Sequence, residues 1–391
     1  MEYKSLVLKS GRNRSIINRH PWIFSGGVKD LPKSQSGDII KVEDNHGKLL
    51  GYGFYDSQSQ ITCRIFEFTD KESFFEGDYW EEKLTKIYKW KTELFDKSKT
   101  NAYRLVHAEG DNFPGTIIDI YNEVAVVQIL IKGTERIKDE IGRILTKLGY
   151  KYVFFRVKQT TGKLESVSEQ SHWYADSVSM PVMIIENGIK MLVDVEKGQK
   201  TGFFLDQREN RRLVGELSKG KKVLNTFSYT GGFSLYALHG GADLVHSVDS
   251  SAAAIQLCDQ NVDLNFKKAK HESFTEDVFD FLKKMEEDYD IIILDPPAFA
   301  KNARSVENAA KGYKNLNLQA MRKIKDGGLI FTFSCSQHID KDLFRKIVFG
   351  AAADAARPVA VLKQLTQPED HPINIFHPES EYLKGLLLRI G

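Results

Sequence analysis

Apolar and polar residues alternate from Asp38 to Phe68, as in Asp38-Ile39-Ile40-Lys41-Val42-Glu43 and Ile61-Thr62-Cys63-Arg64-Ile65-Phe66-Glu67-Phe68. Asn45-His46-Gly47 and Gly51-Tyr52-Gly53 fall between these runs. A two-residue period broken by glycine turns predicts short strands, and hence a small β-rich domain over residues 1–70. The period then lengthens. Trp80, Leu84, Ile87, Trp90 and Leu94 recur every three or four residues, which predicts one amphipathic helix between Phe74 and Lys97.

Strand-like runs at 115–121, 124–130 and 152–157 surround a helix-like stretch from Glu135 to Leu148, so residues 71–185 are expected to form a linker helix and a central α+β domain. Beyond residue 186 short apolar runs, Val223–Thr226, Leu244–Val248, Ile291–Leu294 and Leu329–Phe333, alternate with helical segments. Such an alternation predicts an α/β domain over 186–391, with a parallel sheet covered by helices on both faces.

Composition narrows the class. A chain of 391 residues with 41% hydrophobic and 28% charged residues is globular and too long for one ordinary core. No stretch approaches the roughly 18–20 apolar residues of a membrane span, and the opening Met1-Glu2-Tyr3-Lys4 lacks a signal-peptide core. Cys63, Cys258 and Cys335 are odd in number and far apart, which argues against a disulfide framework or a cysteine metal cluster. A cytoplasmic protein with no bound metal and no membrane partner is therefore expected. The net charge of +2 announces no nucleic-acid partner, yet it conceals a basic start: Lys4, Lys9, Arg12, Arg14, Arg19 and Lys29 precede Asp30 with Glu2 as their one acid. Lys9, Arg12, Arg14 and Arg19 are the candidates for contact with phosphates.

Candidate chemistry clusters where strands of the last domain should end. Val223-Leu224-Asn225-Thr226-Phe227-Ser228-Tyr229-Thr230-Gly231-Gly232-Phe233-Ser234 reads as a buried strand, a tight turn and a helix start, where backbone amides can face a ligand. About twenty residues on, a second strand ends at Asp249-Ser250, where a carboxylate can accept both hydroxyls of a ribose. Glu276 and Asp277 stand at the next strand–helix junction, where a carboxylate can take an adenine amino group or simply serve as a helix N-terminal acid. Without Gly-x-Gly-x-x-Gly the turn leaves little room for a pyrophosphate, so S-adenosylmethionine fits better than a dinucleotide.

Ile291–Leu294 runs straight into Asp295-Pro296-Pro297-Ala298-Phe299, a carboxylate at a strand end followed by a rigid loop. Leu329–Ser334 ends the same way at Cys335, a candidate nucleophile, whereas Cys63 and Cys258 fall inside a strand and a helix and are expected to be structural. The polar run Lys197–Arg211, containing Lys200, Thr201, Asp206 and Arg208, is denser than a connecting loop requires and could fold over a cofactor or begin a helix near Leu205.

Taken together, Gly198–Arg208, Phe227–Phe233, Asp295–Phe299 and Ser334-Cys335-Ser336 resemble the large-subunit (23S) ribosomal RNA methyltransferase I family of class I S-adenosylmethionine enzymes. Arg104–Gly115 is similar to that family's central domain, and Arg19-His20-Pro21-Trp22-Ile23-Phe24 to its N-terminal PUA RNA-binding module. The resemblance implies a C-terminal Rossmann-like methyltransferase domain, with Lys200, Thr201, Asp206, Arg208, Phe227, Tyr229, Thr230, Gly231, Asp249, Ser250, Asp277 and Asp295 around the cofactor. It also implies that Cys335 adds to carbon 6 of a cytosine in ribosomal RNA and that Asp295 bonds the base edge. Pro296, Pro297 and Phe299 would then pack against the extruded base. Asn225 stands where related enzymes carry an acid, and Ala298 where many RNA cytosine methyltransferases carry a second cysteine. Methylation of a guanine nitrogen, or noncatalytic RNA binding, would use the same framework without the thiol. The sequence leaves a homodimer and the identity of the general base open.

Overall fold

The computed structural model describes residues 3–73, 75, 78–157, 170–286, 288–300 and 302–391. The expected start of the linker helix at Phe74, and the opening Met1-Glu2, lie outside them. The chain packs into two compact units: residues 1–184, 193–205 and 369–380 form the first, and 185–192, 206–368 and 381–391 the second.

The first unit holds a six-stranded sheet and a five-stranded sheet. In the six-stranded sheet the order is 22–24, 61–67, 49–55, 39–43, 5–8 and 28–30. The alternating stretches form its strands, with one face buried through Ile40, Val42, Cys63 and Ile65. The five-stranded sheet runs 172–173, 152–157, 124–129, 116–121 and 102–107. Trp80 joins the two cores: its ring stacks on Phe54 at 5.7 Å and meets Phe113 at 5.4 Å. The linker helix is shorter than its apolar stripe, Tyr79–Thr92, and the end of the stripe is wet, with Trp90 43% and Leu94 39% exposed. The helix expected over 135–148 is two pieces, Lys132–Arg136 and Lys138–Lys147, separated at Ile137.

Charged residues are deeply buried in this unit. Arg104 makes two bonds to Asp119, at 2.7 and 2.8 Å, and Lys91 pairs with Asp111 at 2.9 Å. Asp370 accepts the Arg104 backbone amide and offers its own carbonyl to Lys91. Burial pushes the His107 imidazole well below its usual pKa, and the nearby Arg104 cation pushes the same way. Buried ions need partners of this kind, since removing one partner strands the other. The Arg104–Gly115 block therefore does structural work through Arg104, Glu109 and Asp111; Glu109 accepts from Trp22 Nε1 at 2.7 Å and from Arg64 at 2.8 Å.

The second unit is the expected doubly wound sheet. Its strands are β1 (Lys222–Thr226), β2 (Leu244–Asp249), β3 (His271–Thr275), β4 (Ile291–Leu294), β5 (Leu329–Ser334), β6 (Val359–Leu365) and β7 (Lys384–Ile390), in the order β3-β2-β1-β4-β5-β7-β6. The first five are parallel, and β7 runs antiparallel to both β5 and β6. The helices are α1 (Arg208–Leu217), α2 (Gly232–His239), α3 (Ala252–Asn265), α4 (Val278–Lys284), α5 (Val306–Lys323) and α6 (Lys341–Ala355). Every residue of β4 is fully buried, which explains its unbroken apolar run. Separate apolar clusters lie along the sheet, one with Leu224, Ile292 and Leu294, the other with Val223, Ile291 and Ile293. Strand order reverses between β1 and β4, and open α/β sheets bind ligands at the carboxyl ends beside such a point.

Candidate active site

The loop between β1 and α2 begins at this switch point. Phe227 and Tyr229 have φ of 52° and 47°, a left-handed conformation that costs bulky residues free energy and is retained where the surroundings fix it. Part of that fixing comes from Asp249 at the end of β2: one oxygen accepts the Tyr229 amide and the other the Ser251 amide, both at 2.9 Å. Ser228 donates its amide to the Val248 carbonyl at 3.0 Å. Gly231 closes the turn at φ 83°, and a Cβ there would lie 2.4 Å from Cys258 Sγ, so both the conformation and the space require glycine. The Cys258 thiol is correspondingly buried in α3 and pushed up to about 12 by desolvation.

At the carboxyl end of β4, Asp295 is half-buried and accepts from Gln207 Nε2 at 3.1 Å. Gln207 itself accepts from Asn210 at 2.6 Å, so α1 and the turn before it orient the carboxylate. Cys335 follows β5 and is half-buried, whereas Cys63 and Cys258 are buried and burial raises the pKa of both thiols. Ser336 ties the two reactive loops together. Its hydroxyl accepts the Ala300 amide at 3.3 Å and bonds Tyr313 at 2.9 Å, while its carbonyl accepts from Lys384 at 2.8 Å.

The second unit thus gathers Asp206, Arg208, the 227–231 turn, Asp249, Ser250, Asp277, Asp295–Phe299 and Cys335 around the carboxyl ends of β1 to β5 and the start of α1. Lys200 and Thr201 belong to the first unit, where Thr201 is fully buried and donates to Asp119 at 2.5 Å. Asp277 is exposed and caps α4, accepting the Phe279 and Asp280 amides. Arg208 is 1% exposed, and Asp206 accepts from Tyr382 at 2.7 Å. Pro296 is buried and Pro297 exposed, and the Phe299 ring lies against Tyr313 of α5 at 4.6 Å. Lys9, Arg12, Arg14 and Arg19 are all exposed on the first unit; Lys9 donates to the Gly26 carbonyl and Arg19 lies over Phe68.

The chain is 40% identical to the ribosomal RNA large subunit methyltransferase I of Shewanella denitrificans and 41% identical to that of Shewanella frigidimarina. Each alignment covers 98% of this chain and 99% of the relative. The chain belongs to this methyltransferase family. Residues 159–389 match the family model of S-adenosylmethionine-dependent methyltransferases, and residues 6–68 that of a PUA-like domain. Among solved structures, SMU.776, a provisionally named methyltransferase complexed with SAH, aligns over 100% of both chains at 25% identity and a TM-score of 0.84. S-adenosylmethionine is therefore the cofactor of this methyltransferase, as the β1 turn suggested.

The turn fits that molecule. Ser228 Oγ and Thr230 Oγ1 are buried without a hydrogen-bond partner among the described residues, as is Asn225 Oδ1, while Asn225 Nδ2 donates to Ser234. Buried hydroxyls in this condition are costly in an empty fold and useful next to a polar ligand. The site also contains residues that the sequence did not single out. Gln207 and Asn210 lay in a motif noticed for its density, and only the fold shows that Gln207 reaches Asp295 and that Asn210 holds Gln207.

Proposed function

We propose that this methyltransferase converts a cytosine of large-subunit ribosomal RNA to 5-methylcytosine through a covalent adduct with Cys335. The observation that carries the reading is the half-buried Cys335 on a loop joined through Ser336 to the Asp295 loop, both at the carboxyl rim of the sheet. The names of the relatives support ribosomal RNA as the substrate class. Bound S-adenosylmethionine supplies an electrophilic methyl group. Asp249, the 227–231 turn and Asp277 would hold it at the ends of β1 to β3.

The target base must leave its stack to reach this rim. The Cys335 thiolate then forms a bond to carbon 6, and the ring's electron pair moves to carbon 5. Asp295, aligned by Gln207, acts in its protonated form: it donates a hydrogen bond to ring nitrogen 3 and stabilises the negative charge displaced there. Carbon 5 takes the methyl group; a water molecule at the rim then removes the carbon 5 proton, and the electron pair of that C–H bond reforms the C5–C6 double bond as the Cys335 thiolate leaves. Dividing the transfer in this way avoids attack by an unactivated ring carbon. Exposed Lys9, Arg12, Arg14 and Arg19 would hold RNA phosphates on the PUA-like domain.

The test is nucleoside mass spectrometry of ribosomal RNA from cells lacking the protein, complemented with the parent or with Cys335→Ala. We expect one 5-methylcytosine to disappear with the gene, to return with the parent and to stay absent with the variant. Full methyl transfer by Cys335→Ala, or a missing methylguanine, would replace this reading with the guanine-nitrogen one, which needs no thiol.

A further inference from the structure

We propose that Lys384 is the positioning residue that keeps Cys335 in its thiolate form, by placing a buried ammonium beside the loop that carries the sulfur. The inference rests on Cys335 being the nucleophile. Its basis is the antiparallel pairing of β5 with β7, which sets Lys384 directly across from Ser334, the residue before Cys335. The lysine is 5% exposed, and its Nζ reaches the carbonyl of Ser336, the residue after Cys335, at 2.8 Å. The ammonium thus belongs to the three-residue segment that presents the thiol.

A buried lysine is tolerated only where its charge finds compensation. Burial lowers the Lys384 pKa, and Cys335 is the largest influence in the opposite direction, ahead of Glu381 and Asp340; Lys341 opposes them. These groups come from the end of β5, the segment before β7 and the start of α6. Glu381 precedes β7 and is ion-paired with Lys341 of α6 at 2.5 Å, and Asp340 caps α6 by accepting the Leu343 amide. Tyr313 of α5 touches Ser336, but burial raises its pKa and keeps the phenol neutral. Both carboxylates therefore have duties of their own, and the sulfur is the anion that Lys384 is placed to balance.

In chemical terms, the Cys335 thiol releases its proton to water while Lys384 stays protonated. The thiolate forms the bond to carbon 6 and its negative charge passes into the base; elimination later returns the electron pair to sulfur and restores the ion pair. The ammonium's bond to the Ser336 carbonyl holds it in place while the sulfur is neutral.

The test uses the full-length protein without RNA and follows alkylation of Cys335 by iodoacetamide against pH, with buried Cys63 and Cys258 as internal references. Lys384→Gln retains a donor for the Ser336 carbonyl but removes the charge; Lys384→Arg retains the charge. We expect Lys384→Arg to keep the parental midpoint and Lys384→Gln to raise it by about one pH unit, slowing alkylation roughly tenfold at neutral pH. Superimposable profiles for Lys384→Gln and the parent would overturn the proposal. Should Lys384→Gln not fold, the near-ultraviolet thiolate absorbance of the parent minus that of Cys335→Ser decides. A midpoint well below the ordinary thiol value of about 8.5 supports the proposal, and one at or above it refutes it. Methyl transfer by Cys335→Ala tests the underlying reading separately, because alkylation requires neither cytosine nor cofactor.

Discussion

Two clusters of buried polar groups, one in each unit, are used differently. In the first, Arg104, Asp119, Lys91, Asp111 and Asp370 are bonded to one another. In the second, the rim of the sheet holds hydroxyls of Ser228 and Thr230 with no protein partner among the described residues, and a carboxylate and a thiol that reach only partial burial. A buried ion satisfied by another side chain supports the fold. A buried polar atom left with hydrogen-bonding capacity at a strand end is suited to something that is not protein. Sequence motifs alone do not separate the two cases: Arg104–Gly115 and Phe227–Phe233 look equally distinctive.

The sharpest way to break this comparison is to exchange the consequences. Asp119→Ala should destabilise the first unit by about 3–5 kcal/mol, because Arg104 is left as an uncompensated buried charge. Chemical denaturation measures it, and a loss below about 1 kcal/mol would mean that the network is not structural. Asp295→Asn should do the reverse. Methyl transfer should fall about 100- to 1000-fold, the usual effect of removing one preorganised electrostatic contact, with little change in melting temperature. Gly231→Ala should cost roughly 1–3 kcal/mol and weaken S-adenosylmethionine binding in calorimetry. Adding Cys258→Ala removes the atom that the new Cβ would strike, so the pair should be less damaging than the sum of the single changes.

Acid should unfold the first unit through its histidines. The folded-state pKa of His107 is depressed, chiefly by burial and then by Arg104, and that of His377 is depressed as well. The unfolded chain therefore binds more protons, so this stability is complete above about pH 6.5 and is lost as pH falls from there towards the folded values. The slope is about 1.4 kcal/mol per pH unit for each histidine. His107→Gln should flatten the slope of stability against pH. The smallest effect concerns the exposed basic residues. Charge reversal at Arg12 and Arg14 should lower RNA affinity and reduce the salt slope by about 0.7–0.9 for each phosphate no longer neutralised, and an unchanged slope would remove these residues from the interface.

Much of the second unit was legible in the sequence because β1, β2, β4 and β5 are short runs buried on both faces, and Ile291–Leu294 is a strand to the residue. Asp249, Asp295 and Cys335 were legible for the same reason: each follows such a run. The last two strands were not. β6 exposes most of its side chains, so Val359–Leu365 carries no buried-strand pattern, and without β7 nothing marks Lys384. Pairings across great sequence distance, such as Asp370 with Arg104, leave no local trace, nor does the break at Ile137 that splits an apparently continuous helix.

The excursion of residues 369–380, between β6 and β7, sets a timetable for the newborn chain. The first unit contains the N-terminal segment, yet it is completed only when residue 380 of 391 has been made. Until then Arg104 lacks the Asp370 carboxylate on its amide and Lys91 lacks the Asp370 carbonyl. Proteins usually fold domain by domain as they leave the ribosome, the N-terminal one first. Here residues 1–184 must wait for residues 369–380, and no single cut between the two units can deliver either one whole.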